Sequence, residues 1–191
     1  MREELKRRTA AAHSQVDALY GRLDIAAEPG LTHFLAAHLL ALSSIAKARP
    51  APPAGMPSIG MARLRGLLAA DLASLDRAVD VDRAPAMATP RDPIGVAYVV
   101  GGSRLGTAVL RTHWRRGDAP RVRTAGRYLA DQEGLRDWRR LVSYLDSLTA
   151  TPKRADEIVA GALSVFACFE AAFRIAPDAL LNTRVEDAAA I

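Results

Sequence analysis

Apolar residues recur at spacings of three and four along almost the whole chain, and apolar–polar alternation never persists. That is the period of helices rather than strands. Leu5, Thr9, Ala12, Val16 and Leu19 mark one face of a first helix, Arg2 to Tyr20. Gly21 and Glu28-Pro29-Gly30 bracket a break, and Thr32 then suits the N-cap of a second helix, Phe34 to about Ala48. The proline-rich run from Arg49 to Pro57 reads as a surface loop. A third helix is predicted from Gly60 to Val79, followed by a connection, Asp80 to Asp92, that carries Pro85 and Pro90. Pro93 suits the first turn of a long fourth helix reaching about Arg116, and Gly117-Asp118-Ala119-Pro120 ends it. Residues Arg121 to Glu133 suggest one short helix, with two more at Gly134 to Leu148 and Ala155 to Ile175. From Pro177 to Ile191 no periodic apolar face stands out. With no internal repeat and no polar linker, the expectation is a single all-α domain over residues 1–176 and a loose tail over 177–191.

Composition narrows the class. The chain is 191 residues long and half hydrophobic, enough for one continuous core. Its one cysteine, Cys168, excludes an intramolecular disulfide framework and any four-cysteine metal site. No stretch offers the roughly 18 uninterrupted apolar residues of a membrane span, so no membrane is expected. The opening MREELKRRTAAAH is charged where an export signal is apolar, so a cytoplasmic location is expected. The net charge is +5, but the arginines are scattered and aromatics make up only 5% of residues, which argues against nucleic acid as the partner.

Two places depart from what a helix prefers. Within the fourth helix, Gly101, Gly102 and Gly106 fall within six residues, and each interior glycine costs about 1 kcal/mol relative to alanine. Gly102 and Gly106, four apart, share a face. Such glycines either admit another helix closely or let the backbone lie against a flat ligand; the spacing alone favours helix packing. The second oddity is His13, with Asp17 one turn later. The carboxylate can hold one imidazole nitrogen and leave the other for a metal, although a simple surface pair is the plainer reading. His33, His38 and His113 show no ligand spacing. Taken together, one histidine on one helix and a glycine-opened second helix suit a planar macrocycle bound between them.

This combination resembles the haem oxygenase family, in particular its bacterial biliverdin-producing branch. Leu5-Lys6, Thr9 and His13-Ser14-Gln15-Val16-Asp17 look like the family's proximal helix, and Tyr98-Val99-Val100-Gly101-Gly102-Ser103-Arg104-Leu105-Gly106 looks like its distal helix. Phe166-Ala167-Cys168-Phe169-Glu170 resembles the last core helix. The resemblance implies a multi-helix bundle with haem b sandwiched between the proximal N-terminal helix and a kinked, glycine-rich distal helix. On that match His13 is the iron ligand, with Asp17 its acidic partner. Lys6 and Tyr98 bind propionates, Phe166 and Phe169 supply an aromatic wall, and Gly102, Ser103 and Gly106 line the reacting face.

The implied activity is oxidative opening of haem to biliverdin, with release of carbon monoxide and ferrous iron. Haem is both substrate and cofactor, and electrons come from a ferredoxin or flavin reductase. A photoreceptor that accepts the bilin is a further implied partner. A basic haem edge would suit both the propionates and an acidic donor, with Lys6 and Arg104 as candidates. Three residues depart from the family pattern. Ser103 stands where animal-type enzymes have an aspartate, Gly101 where many relatives have an acid, and Thr107 where a small residue is usual. Thr107 either crowds the oxygen pocket or turns away from it. Two alternatives follow: a haem- or bilin-binding helical protein without turnover, and a helical interaction module whose glycines only pack helices.

Overall fold

Two of the longest helices begin where a side chain supplies an acceptor for their first free N–H groups. In the computed structural model, which describes residues 1–48, 51–88 and 92–183, the Asp92 carboxylate accepts from the amides of Ile94 (2.8 Å) and Gly95 (3.1 Å), and Pro93 follows in the first turn. Thr151 caps its helix in the same way, accepting from the amide of Arg154 at 3.3 Å ahead of Pro152. The described residues form eight α-helices, a short 3-10 turn and one two-stranded ribbon. The helices are α1 (Arg2–Tyr20), α2 (Glu28–Ala48), α3 (Met61–Ala73), α4 (Pro93–Trp114), α5 (Pro120–Thr124), α6 (Arg127–Ala130), α7 (Glu133–Ser147) and α8 (Pro152–Ala179). The ribbon pairs β1 (Arg77–Val79) with β2 (Leu180–Asn182), antiparallel, with Ala78 opposite Leu181.

Helix α2 is buried on nearly every side and forms the core, with α8 and α3 packed against it. Helices α1 and α4 both lie on α8, and α7 covers α4. The α4–α8 crossing is close because glycine meets backbone there. A Cβ at Gly95 would fall on the Ile158 carbonyl oxygen and 2.5 Å from the Ala162 nitrogen, and one at Gly161 would lie 2.6 Å from the Asp92 Cβ. By length and composition α2, α4 and α8 are apolar enough to cross a membrane, contrary to the sequence expectation. Of those apolar windows 78%, 50% and 56% are buried inside the molecule, so much of this surface is already covered by the chain itself.

The all-α expectation holds apart from the ribbon, and several boundaries move. Helix α2 starts at Glu28, so Glu28-Pro29-Gly30 is its first turn and not a break, and Thr32 is a buried residue inside it. Proline costs nothing there because first-turn N–H groups have no helical partner. Helix α3 stops at Ala73, since the residues from Arg77 to Val79 pair with a segment about a hundred positions away in the chain. Residues 121–133 hold two short helices instead of one. Helix α8 begins three residues earlier than predicted and carries Pro177 in its last turns. Pro177 to Ala179 are thus helical and Leu180 to Asn182 are strand, not tail. Arg49, Pro50, Pro90 and the tail from 184 to 191 lie outside the described residues.

Candidate functional site

Helices α1 and α4 run in the same direction, held together near both ends. At one end the Tyr98 hydroxyl lies beside Thr9, and burial pushes its pKa up while the Thr9 hydroxyl acts against the shift. At the other, His113 Nε2 lies 3.5 Å from an Asp24 carboxylate oxygen, and Gly117 lies against the Ala26 backbone, where a Cβ would come within 2.5 Å of the carbonyl oxygen. His13 follows Thr9 by one turn, and Gly102 follows Tyr98 by one turn. With 1.5 Å of rise per residue in both helices, His13 and Gly102 stand at the same level.

His13 is exposed, with 60% of its side chain accessible. Its Nδ1 lies 3.1 Å from an Asp17 carboxylate oxygen, the distance of an N–H donating to a carboxylate. That contact favours the tautomer in which Nε2 carries the lone pair and is uncommitted. The Phe166 ring approaches the imidazole edge-on, centroids 5.8 Å apart at 82°. Phe169 does not join it. It packs instead on Tyr20 and His38 in an aromatic cluster with Phe34, Tyr128 and Phe173. Lys6, seven residues before His13, is exposed on the same side of α1.

The glycine-rich stretch of α4 divides into two faces. Inward lie Val100, Gly101, Arg104 and Thr107, all buried. Outward lie Tyr98, Gly102, Leu105, Gly106 and Val109, with Leu105 53% and Val109 74% exposed. Nothing stands within 4 Å of where a Gly106 Cβ would be. Gly102 is different: a Cβ there would lie 3.6 Å from the indole of Trp138, which also meets the Tyr98 ring at 5.9 Å. The open part of the stripe is therefore its C-terminal half, with Trp138 as a wall at the other end. Leu163 on α8, one turn before Phe166, is also exposed at 39%.

The inward face answers two questions left by the sequence. Thr107 turns away from the open stripe; it is buried, and its hydroxyl donates to the Arg104 carbonyl at 2.8 Å. Arg104 is not on a basic edge. It is 1% exposed, lies 4.2 Å over the Tyr128 ring and donates to the Tyr128 carbonyl at 2.6 Å. Its position is set by the helix period, since Arg104 falls a turn from Gly101 and Val100 on the core side. The Ser103 hydroxyl is half-buried and donates to the Val100 carbonyl at 2.8 Å, which leaves its oxygen able to accept. Of the predicted residues, His13 meets both Asp17 and Phe166. Gly102, Ser103, Gly106 and Tyr98 share the α4 segment alongside, and Phe169 stands apart in the core.

Trp138, Leu105, Val109 and Leu163 were missed in the sequence reading. The pair Leu105–Val109, spaced i to i+4 beside Gly106, carried a signal; Trp138 carried none, because its neighbour is on another helix.

Among the described residues no group of three His, Cys, Asp or Glu side chains is placed to hold a metal ion. A macrocycle brings four of its own nitrogens to iron and needs only one or two protein ligands, so this set can still serve one. The residues fit that group: an uncommitted Nε2, an apolar aromatic edge in Phe166, and a strip of backbone without side chains flanked by exposed Leu105 and Val109. Comparison with protein-family models, curated proteins and solved structures finds no match for this chain.

Proposed function

We propose that this chain is a haem oxygenase, opening haem to biliverdin with release of carbon monoxide and ferrous iron. The observation that carries the reading is the pairing, on two helices running in the same direction, of a carboxylate-oriented histidine with a glycine stripe left uncovered at Gly106, one turn beyond the level of His13. Haem is the substrate, and its iron supplies the dioxygen chemistry when electrons arrive from a ferredoxin or flavin reductase.

The protein's own residues do the positioning. His13 Nε2 would be the iron ligand, and Asp17 fixes the ring and its tautomer by accepting from Nδ1. Phe166 limits rotation of the imidazole. Gly106 lets the α4 backbone approach the porphyrin face, where a larger residue would hold it off. Leu105, Val109 and Leu163 cover the macrocycle and lose their water contact, which favours binding by about 25 cal/mol per Å² of apolar surface covered. The Ser103 oxygen, close to that face, accepts a hydrogen bond from water and so helps to hold a proton donor there without a carboxylate. Lys6 reaches toward the propionates from the exposed side of α1. Tyr98 lies beside Thr9, so its part is to hold α1 and α4 together at the mouth rather than to bind a propionate.

The test is a hemin titration followed by reduction in air. A stoichiometric Soret band and a green product eluting as biliverdin are expected. His13→Ala should shift the Soret band and lose ring opening, with added imidazole restoring part of it. Full turnover by His13→Ala, or no stoichiometric hemin binding, overturns the proposal. Binding without ring opening would leave a haem carrier.

A further inference from the structure

Three turns beyond Phe166 along α8 the molecule contains a cavity of about 620 Å³, between the start of α2, the end of α8 and the β1–β2 ribbon. We propose that this cavity binds a small monocarboxylate with an apolar body, its carboxylate on Arg77 and its hydrocarbon against Pro29, Pro177 and Leu180. The site is separate from the His13–Gly106 surface and does not depend on the proposed function.

The cavity follows from a proline. Pro177 has no N–H, so the Phe173 carbonyl, four residues earlier, loses its helical partner. His33 on α2 supplies one: its Nε2 lies 2.8 Å from that oxygen, and its ring rests tilted against Phe173 with centroids 4.4 Å apart. A carbonyl can only accept, so Nε2 carries the proton. This holds the His33 wall in place beside the last turns of α8. The ribbon closes the other side and holds the backbone of Arg77 opposite Asn182.

The charges around the cavity select the ligand. Arg121 lies 2.5 Å from an Asp76 carboxylate oxygen and 4.0 Å from one of Glu28, so it answers both the acid on this wall, Glu28, and the one on the adjoining cavity, Asp76. Arg77, the residue next to Asp76, lines this cavity and an adjoining one of about 260 Å³. Among the described residues it makes no ion pair, although it is half-buried. A guanidinium with its planar fork free, beside a largely apolar wall, matches a carboxylate. The two acids already present, Glu28 and Asp76, weigh against a phosphate dianion. The volume lies within the roughly 300–1,000 Å³ of small-molecule sites.

Octanoate serves as the probe, with octanol as its uncharged counterpart and inorganic phosphate as a third titrant, followed by calorimetry and by amide chemical shifts. Octanoate should bind with one-to-one stoichiometry, at least tenfold more tightly than octanol, and shift the amides of His33, Arg77 and Leu180. Arg77→Ala should weaken octanoate at least tenfold and leave octanol unchanged, while Arg77→Lys restores part of the affinity. The site is refuted by equal affinity for octanoate and octanol, by tighter binding of phosphate, or by no saturation below about 10 mM. Should Arg77→Ala fail to fold, the octanoate–octanol comparison on the unaltered chain still decides. Octanoate binding should be indifferent to hemin; displacement by hemin would place both in one crevice and refute a separate site.

Discussion

Gly95 and Gly106 lie eleven residues apart in the same helix, and alanine at the two positions should act in opposite directions. At Gly106 a Cβ meets nothing within 4 Å, so the substitution gains helix propensity, about 1 kcal/mol, without a clash. For a chain of 191 residues that corresponds to a rise in Tm of about 2–4 °C. At Gly95 the same methyl would meet the Ile158 carbonyl oxygen and lie 2.5 Å from the Ala162 nitrogen. Backbone atoms of a packed helix cannot turn aside as a side-chain tip can, so α4 and α8 must separate. The overpacking penalty of about 1–3 kcal/mol, or more with backbone in the way, outweighs the propensity gain. Gly95→Ala should therefore lower Tm by several degrees. Gly106→Leu extends the test to function: the fold should tolerate it, but the side chain would fill the open stripe and weaken hemin at least tenfold. Thermal melts followed by circular dichroism, with hemin titrations of each variant, measure both effects. A fall in stability of 1 kcal/mol or more in Gly106→Ala would refute the open-stripe reasoning, as would Gly106→Leu binding hemin as the parent does.

Two further predictions concern stability. His38 is buried among Phe34, Tyr20 and Tyr128, and burial, with a smaller contribution from the Arg104 charge, pushes its pKa from 6.5 to about 3. The unfolded chain takes up that proton below pH 6.5 and the folded chain does not. The stability this neutral imidazole permits is whole above pH 6.5 and is lost toward pH 3, by about 1.4 kcal/mol per pH unit. Denaturant titrations between pH 6 and 4 should show that slope, and His38→Gln should remove one proton from it. Asp71 is fully buried and accepts from the amides of Tyr128 (2.8 Å) and Arg127 (3.0 Å), joining α3 to α6. Asp71→Ala strands both donors and should cost about 3 kcal/mol in a urea melt; a loss under 1 kcal/mol would mean that water replaces the carboxylate there.

The bundle was legible because its signals are local. The stripe from Leu5 through Thr9 and Val16 marks α1 within a few turns of chain, and Pro93 announces the start of α4 by its own fixed backbone angle and missing N–H. The His13–Asp17 contact is equally local, since any helix sets residues four apart side by side. What could not be read are contacts between segments distant in sequence. Leu180 to Asn182 look like tail until Arg77 to Val79 lie beside them. Pro177 looks like the end of a helix until His33 supplies the carbonyl's missing donor. Phe166 and Phe169 are indistinguishable in the chain, and only the rotation of α8 between α1 and α2 sends one to His13 and the other into the core. Arg104 and Thr107 likewise gained their inward direction from the packing of α4 against α6 and α7. Periodicity states that a helix has two faces; which neighbour each face meets is decided when burial of the whole apolar surface is settled at once, and that is a property of the assembled helices alone.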